Sequence, residues 1–169
     1  MNFPTQSFLV AGISRSGVCA AQFLVKKRAR AVYLYDDVDD ENVRKNIEKL
    51  TKLGCHSVKK EELFACAAQC DVLVLSPGIP IDHPLPVQFR KEKKAIVGEC
   101  ELAAREMRCP IVAVTGTNGK TTTVSMIEHV LRSCNRRAVA CGNVGRPMVD
   151  CLEQSYDVAV AEISSFQLE

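Results

Sequence analysis

Short apolar runs alternate along the chain with segments of helical periodicity, and this alternation limits the possible folds more than any other feature. Continuous apolar runs occupy 8–11, 31–35 and 72–75, and they end at a glycine, an aspartate and a serine respectively. Such uninterrupted runs are typical of strands that helices cover on both faces of a parallel sheet. The sequence therefore predicts the α/β class.

The same pattern continues along the chain and indicates a fresh start near Pro110. We expect a Rossmann-like parallel-sheet domain over 1–108, followed at 109–169 by the truncated beginning of a second α/β domain. The predicted strands are 8–11, 31–35, 72–75, 95–97, 111–114, 137–141 and 157–161. The predicted helices are 18–27, 41–53, 61–68, 85–94, 99–107 and 122–134.

Composition excludes several classes of protein. The chain is 47% hydrophobic with a net charge of +2, so it is neither disordered nor basic enough to indicate binding to nucleic acid or an anionic membrane. No apolar run approaches the roughly 20 residues of a membrane span, and the first residues do not resemble a signal peptide. The nine cysteines are odd in number and scattered, which favours reduced thiols in a cytoplasmic protein. The alternative is a metal site formed by Cys66, Cys70 and one of His56, His83 or His129.

The strongest motif, Thr-Gly-Thr-Asn-Gly-Lys-Thr-Thr, occupies 115–122 between a predicted strand and a predicted helix. Its glycines let backbone N–H groups turn toward phosphate oxygens, Lys120 can reach the β and γ phosphates, and the Thr121 hydroxyl can ligate Mg²⁺. It departs from a strict Walker A sequence at Val114, and a strand-to-helix turn rich in small residues is the alternative. The predicted ATP contacts are Gly116, Thr117, Asn118, Gly119, Lys120, Thr121 and Thr122.

Glu162 follows the apolar run 158–161, at the sheet edge where ligands of such folds bind. A carboxylate there can hold Mg²⁺ opposite the Thr121 hydroxyl, and the phosphate loop upstream favours this role. The alternative is a solvated glutamate at a strand end, or a cap for Ser164 and Ser165.

The segment Gly12-Ile13-Ser14-Arg15-Ser16-Gly17 nearly matches a dinucleotide-binding fingerprint. Asp36, at the end of the next strand, is the residue that would bind a ribose. Ser14 replaces the middle glycine, which normally permits close approach to a pyrophosphate. The segment still offers a nucleotide-sized crevice, and a structural turn with an exposed Asp36 is the alternative.

Two further loops follow predicted strands. Gly142-Asn143-Val144-Gly145 can present Asn143 to a phosphate or a sugar, or it can be a glycine turn with a capping asparagine. Ser76-Pro77-Gly78-Ile79-Pro80 can contribute to a ligand site of the first domain, or it can be a rigid loop only.

Taken together, these motifs resemble the Mur ligase family of peptidoglycan synthesis, and in particular its D-glutamate-adding branch. The resemblance is carried by 76–80, 98–102, 115–122, 142–147 and 162–169. It implies the UDP-binding first domain and the beginning of the central, P-loop-type ATPase domain of a three-domain enzyme. One departure concerns the uracil contact, because this chain has Asp37 and Val38 where the compared relative has threonine and arginine.

The resemblance also implies roles for individual residues. Lys120 would be catalytic, and Thr121 and Glu162 would ligate Mg²⁺. The residues implied in binding the UDP-sugar substrate are Arg15, Ser16, Asp36, Asp37, Gly78, Asn143 and Ser164.

The implied reaction is ATP-dependent amide formation. ATP would phosphorylate the alanyl carboxylate of UDP-N-acetylmuramoyl-L-alanine, and the amine of D-glutamate would then displace the phosphate. We expect a monomer, and we expect the 169 residues alone to bind ligands without ligase activity, with Phe166 and Leu168 in an exposed apolar patch. The alternatives are a P-loop kinase or ATPase, a nicotinamide-dependent enzyme, and a non-catalytic nucleotide-binding module.

Overall fold

The computed structural model describes residues 1–80, 82–143 and 145–164. It divides into two compact units, Met1–Glu99 and Cys100–Glu169. Each unit is an α/β unit built on a parallel sheet, which confirms the predicted fold class. The domain boundary predicted at 108–110 refers to domains that fold independently, which the division into compact units does not test, so it stays a prediction.

In the described part of the first unit, strands and helices alternate. The strands are β1 (Ser7–Ala11), β2 (Ala31–Tyr35), β3 (His56–Ser57), β4 (Val72–Leu75) and β5 (Ala95–Gly98). The helices are α1 (Arg15–Lys26), α2 (Glu41–Thr51), α3 (Leu63–Gln69) and α4 (Pro84–Lys91), and α5 (Glu99–Ala104) follows β5 directly in the chain.

The first sheet has the strand order β3-β2-β1-β4-β5, and each neighbouring pair of strands is parallel. Every residue of the central strand β1 is buried, and its Leu9 packs with Leu85 and Phe89 of α4. The chain leaves β1 in one direction through β2 and β3, and then continues on the other side of β1 with β4. This reversal creates a topological switch point between β1 and β4, where ligands of such sheets bind beyond the carboxyl ends of the strands.

The described part of the second unit contains β6 (Ile111–Val114), α6 (Lys120–Ser133), β7 (Ala138–Gly142) and β8 (Val158–Glu162). The strands form a parallel sheet in the order β6-β8-β7, so β8 is the central strand. Its residues 159–162 are buried, as expected for a strand with a neighbour on each side. The longest described helix, α6, has 14 residues, and no helix in the described ranges is long and apolar enough to cross a membrane.

Several predicted elements have different ends in the structure. The helix predicted at 122–134 begins at Lys120, because Gly119 adopts a left-handed conformation (φ 77°) that turns the loop directly into the helix. The helix predicted at 99–107 ends at Ala104. Sequence periodicity missed β3 and a 3₁₀ segment, Met148–Glu153, since both are too short to show a period. The apolar patch expected from Phe166 and Leu168 lies outside the described residues.

Candidate functional site

Three loops lie at the carboxyl edge of the first sheet, after the neighbouring strands β1, β2 and β4. We call residues 12–14, 36–40 and 76–80 together the first-sheet edge. The structure places Asp36, Asp37 and Gly78 in these loops, and Arg15 and Ser16 in the first turn of α1 directly after them. The candidate substrate residues of the first unit therefore share one edge, whereas Asn143 and Ser164 belong to the second unit.

Close packing holds the loop after β1. The Ser76 hydroxyl donates to the Gly12 carbonyl oxygen at 2.7 Å, and both residues are buried. A Cβ on Gly17 would lie 1.9 Å from the same carbonyl oxygen, and a Cβ on Gly12 would lie 2.7 Å from Ser76 Cβ. These distances are far below van der Waals contact, so the glycines of this motif are required by the packing of the protein itself.

Asp36 organises two of the three loops. Its Oδ2 accepts a hydrogen bond from the Ile13 backbone N–H at 2.6 Å, and its Oδ1 accepts one from the Val38 backbone N–H at 2.9 Å. The Asn46 side chain of α2 adds a bond to the Ile13 carbonyl oxygen at 3.1 Å. Asp36 is half-buried, and its role as a ribose ligand stays a prediction beside this structural one.

Asp37 is held by two donors that sequence reasoning missed. The Tyr35 hydroxyl donates to Oδ1 at 2.7 Å, and His83 Nε2 lies 3.1 Å from Oδ2. Burial, this hydrogen bond and the nearby carboxylates raise the pKa of Tyr35 to about 12, so its hydroxyl keeps the proton that it donates. His83 Nδ1 accepts from the Leu85 backbone N–H at 3.2 Å and thereby caps α4. The Pro84 that follows indicates a helix start, but no local pattern points to Asp37 as the partner.

The phosphate loop of the second unit joins β6 to α6. Lys120 is the first helical residue, and its Nζ donates to the Gly116 carbonyl oxygen at 2.6 Å. Residues 115–119 are exposed, and a Cβ on Gly119 would meet nothing within 4 Å. The predicted ATP contacts thus form one exposed loop at a helix N-terminus, where backbone N–H groups and the helix dipole favour anions.

Thr121 and Glu162 meet at the end of this loop. The Thr121 hydroxyl donates to Glu162 Oε2 at 2.7 Å, and Glu162 is only 3% exposed. Sheet pairing explains the contact, because Val114, the last residue of β6, is in register with Glu162 on β8. Both side chains offer the hard oxygen ligands that Mg²⁺ prefers, so the residues present fit that ion.

The loop after β7 packs against the same carboxylate-bearing residue. A Cβ on Gly142, whose φ is +104°, would lie 2.3 Å from the Glu162 carbonyl oxygen. The Asn143 backbone N–H donates to that oxygen at 2.9 Å, and the Asn143 residue is exposed. Ser164 is half-buried two positions after Glu162. The rest of the 162–169 segment, from Ser165 onward, lies outside the described residues.

Two cysteines, Cys66 and Cys70, pair at the C-terminal end of α3. The Cys70 thiol hydrogen-bonds to Cys66, which lowers the pKa of Cys66 and, together with burial, raises that of Cys70. Within the described ranges, no three His, Cys, Asp or Glu side chains are grouped so that they could hold a metal ion.

Two family models match the chain. The model described as "Mur ligase MurD-like, N-terminal domain" matches residues 6–98. The model described as "Mur ligase middle domain" matches residues 114–169. The first match covers the first-sheet edge, and the second covers the phosphate loop and Glu162.

Curated relatives are similar over the whole chain. Proteins named UDP-N-acetylmuramoylalanine--D-glutamate ligase from Syntrophus aciditrophicus and Geobacter metallireducens are 39% and 36% identical to it. Each comparison covers 100% of this chain but 38% of the relative, so the chain spans less than two fifths of the length of these proteins.

Solved structures share the fold at low sequence identity. A UDP-N-acetylmuramate:L-alanyl-gamma-D-glutamyl-meso-diaminopimelate ligase from Neisseria meningitides has a TM-score of 0.55 and 16% identity, over 94% of this chain and 52% of that one. A UDP-N-acetylmuramate-alanine ligase from Thermotoga maritima has a TM-score of 0.52 and 21% identity, over 94% of this chain and 37% of that one.

Proposed function

Because this chain belongs to the Mur ligase family, we propose that it forms the UDP-sugar-binding and ATP-binding parts of a ligase that joins D-glutamate to UDP-N-acetylmuramoyl-L-alanine. The names of the relatives that are 39% and 36% identical support this substrate pair. The two units suit this division of labour, since each has a loop at a strand end that can receive a phosphate group.

The contact between Thr121 and Glu162 carries the ATP-dependent half of the proposal. It places a hydroxyl and a buried carboxylate 2.7 Å apart beside an exposed glycine-rich loop and the lysine that opens α6. A strand-end glutamate with only a structural role would need neither the lysine nor the exposed backbone next to it. We therefore assign Lys120 to the β and γ phosphates, and Thr121 and Glu162 to Mg²⁺.

The proposed reaction has two steps. An oxygen of the alanyl carboxylate attacks the γ-phosphorus of ATP, and the bond to ADP breaks. The amine of D-glutamate then attacks the acyl carbon, loses a proton, and phosphate leaves with its former acyl oxygen. Bound Mg²⁺ would neutralise part of the negative charge on the phosphates. Lys120 must leave the Gly116 carbonyl oxygen to reach the phosphates, where its charge stabilises the transferring group.

The first unit receives the UDP part of the substrate in this proposal. Arg15 and Ser16 open a 12-residue helix whose N-terminus favours a diphosphate, and Gly78 keeps an exposed, open position across the first-sheet edge. In the same proposal Asp36 and Asp37 lie on the nucleoside side, and Asn143 and Ser164 are further substrate-binding residues. We place the ligase in the cytoplasm, supported by nine cysteines of which none forms a disulfide, and we propose that it acts as a monomer.

Calorimetric titration of the 169-residue chain with UDP and with MgATP tests the proposal. We expect each nucleotide to bind with a stoichiometry of one, and saturation with UDP to leave the MgATP isotherm unchanged. A P-loop kinase or ATPase without the substrate domain would bind MgATP alone. A nicotinamide-dependent enzyme would bind NADH at the first-sheet edge in competition with UDP. Mutual competition between UDP and MgATP would contradict the proposed two-site arrangement.

A further inference from the structure

The two aspartates after β2 connect the first-sheet edge in opposite directions. Their side chains contact different segments of the first unit. Asp36 binds the backbone of Ile13 in the loop after β1, and Asp37 faces His83 in front of α4. Asp36 already has an organising role within the loops. The contact between Asp37 and His83 has no role in the reaction described above, and no sequence motif predicted it.

The His83 imidazole is fixed at both nitrogens. Nδ1 accepts from the Leu85 backbone N–H, which requires a lone pair there and leaves the proton on Nε2. Nε2 lies 3.1 Å from Asp37 Oδ2, a distance that suits donation of this proton, while the Tyr35 hydroxyl donates to Oδ1. The side chain of His83 is 18% exposed and that of Asp37 is 43% exposed, so the link is sheltered while the carboxylate still faces solvent.

Fixing the Asp37 carboxylate determines the conformation in which the 36–40 loop meets a ligand. Each oxygen of Asp37 spends one acceptor position on an internal donor and keeps another for a ligand. The link also joins the 36–40 loop to the N-terminus of α4, where His83 is the capping residue. Without it, Asp37 can rotate and the loop must be ordered when a ligand binds, at a cost in affinity.

We propose that His83 is a positioning residue for the uridine diphosphate part of the substrate, acting through Asp37. The inference rests on the proposed function, because it requires UDP to bind at the first-sheet edge. His83 itself contacts no ligand in this arrangement. Its second bond, to Leu85, is a helix cap and contributes to folding rather than to binding.

Two substitutions separate the link from the cap. His83→Asn keeps an acceptor where Nδ1 stands, and asparagine is a good N-cap, but the shorter side chain does not reach Asp37. His83→Gln keeps an N–H donor at the distance of Nε2 and loses the good cap. Calorimetry of the 169-residue chain gives the affinities for UDP and for MgATP, and thermal unfolding gives the stability of each variant.

We expect His83→Asn to weaken UDP binding about tenfold, the loss typical of one hydrogen bond to a charged group, with MgATP affinity and melting temperature nearly unchanged. We expect His83→Gln to keep UDP affinity within about threefold while it lowers the melting temperature. Tyr35→Phe, which removes the donor to the other oxygen of Asp37, should weaken UDP binding in the same direction as His83→Asn, and it tests whether a fixed Asp37 carboxylate matters for binding even if a His83 variant misfolds.

Three results separate failure of the inference from failure of the proposed function. Unchanged UDP affinity in both His83→Asn and Tyr35→Phe overturns the positioning role and leaves the proposed function standing. Equal loss of UDP affinity in His83→Asn and His83→Gln also overturns it, because a variant that keeps a donor to Asp37 would then bind UDP no better than one that lacks it. A wild-type chain that binds MgATP but not UDP overturns the proposed substrate site itself, and the inference falls with it.

Discussion

The glycine-rich loops after β1 and β6 hold similar small residues but differ in what surrounds their glycines. In the first loop, a Cβ on Gly17 would lie 1.9 Å from the Gly12 carbonyl oxygen. In the second loop, a Cβ on Gly119 would meet nothing within 4 Å. The first loop therefore needs glycine at 17 because other protein atoms pack against that position. The second loop has glycine at 119 in a left-handed conformation with open space around it.

The polar side chains of the two loops differ in the same way. Asp36 and Ser76 bind backbone groups of the first loop and fix its shape. Lys120 and Thr121 instead bond to Gly116 and Glu162, partners that a bound phosphate and its cation would replace. The comparison indicates that the first loop is already formed without a ligand, whereas the second would have to exchange bonds to bind the proposed ATP.

Loss of the charged contact in the second loop should have the largest effect. In a full-length ligase of this sequence, we expect Lys120→Ala to lower kcat by about 10²–10³-fold, the scale seen when one donor to a developing charge is removed. D-Glutamate-dependent phosphate release measures the loss, and affinity for the UDP substrate should not change. Lys45→Ala, at an exposed lysine paired with Glu41, is the matched control. Unimpaired turnover in Lys120→Ala would refute the assignment of the phosphate loop.

Overpacking of the first loop should come next. Gly17→Ala forces a methyl group onto the Gly12 carbonyl oxygen, and we expect a loss of about 3 kcal/mol in the free energy of unfolding. Urea unfolding measures it. Gly98→Ala is the control, because a Cβ there meets nothing within 4 Å. Equal stability of the two variants would show that the tight packing around the first loop is not real.

Asp36→Ala tests whether the preformed loop matters for binding. The substitution frees the Ile13 and Val38 N–H groups, and we expect UDP affinity to fall by about 2 kcal/mol, with MgATP affinity unchanged. Glu48→Ala, at an exposed glutamate of α2 paired with Lys52, should leave both affinities unchanged. If titration shows that Asp36→Ala binds UDP as tightly as the wild type, the ligand site of the first unit lies elsewhere.

The same contrast explains which features could be predicted from the sequence. The strands, most of the helices, the phosphate loop and the strand-end position of Glu162 follow from local apolar patterns and short motifs. The contact between Thr121 and Glu162 could also be anticipated, since parallel strands end at one edge of a sheet. These features depend on neighbours in sequence or on a rule of the fold.

The features that were missed depend on side chains from distant segments. Nothing near His83 indicates Asp37, and nothing near Ser76 indicates that its hydroxyl binds Gly12. The sequence also presents Asp36 as a ribose ligand or as an exposed residue of a turn, whereas in the structure it binds Ile13 and Val38. Such contacts follow from the exact distance between loops, which periodicity does not encode.

Asp71 and Asp157 lie at the amino edges of the two sheets, just before β4 and β8, and they make the stability of each unit depend on pH. The Ser7 backbone N–H, then the Ser7 hydroxyl and Arg30, hold the pKa of Asp71 below its usual range, and the Arg137 backbone N–H does the same for Asp157. A carboxyl with a lowered folded pKa stabilises the protein above its unfolded pKa of about 4, and the contribution disappears as pH falls through the folded value.

We expect Asp71→Asn to lose about 1 kcal/mol of unfolding free energy at pH 7, a modest value because the side chain is 42% exposed. The difference from wild type should shrink as pH falls below about 4. Asp157→Asn should show the same trend in the second unit. Urea unfolding between neutral and acidic pH measures both, and a pH-independent difference would show that the carboxylate charge is not the cause.

Gly119→Ala should have the smallest effect on stability and distinguishes the two loops most directly. Alanine at φ +77° costs about 1–2 kcal/mol of backbone strain. Alanine also lowers the conformational entropy of the unfolded chain relative to glycine, which offsets about 0.4–1 kcal/mol of that cost. With no atom within 4 Å of the new methyl group, we expect a net loss of about 1 kcal/mol or less in urea unfolding. Binding of MgATP should weaken more than folding does, because the methyl group enters the space beside Lys120 that a phosphate would use. A loss as large as that of Gly17→Ala would mean that protein packing, rather than ligand access, selects glycine in both loops.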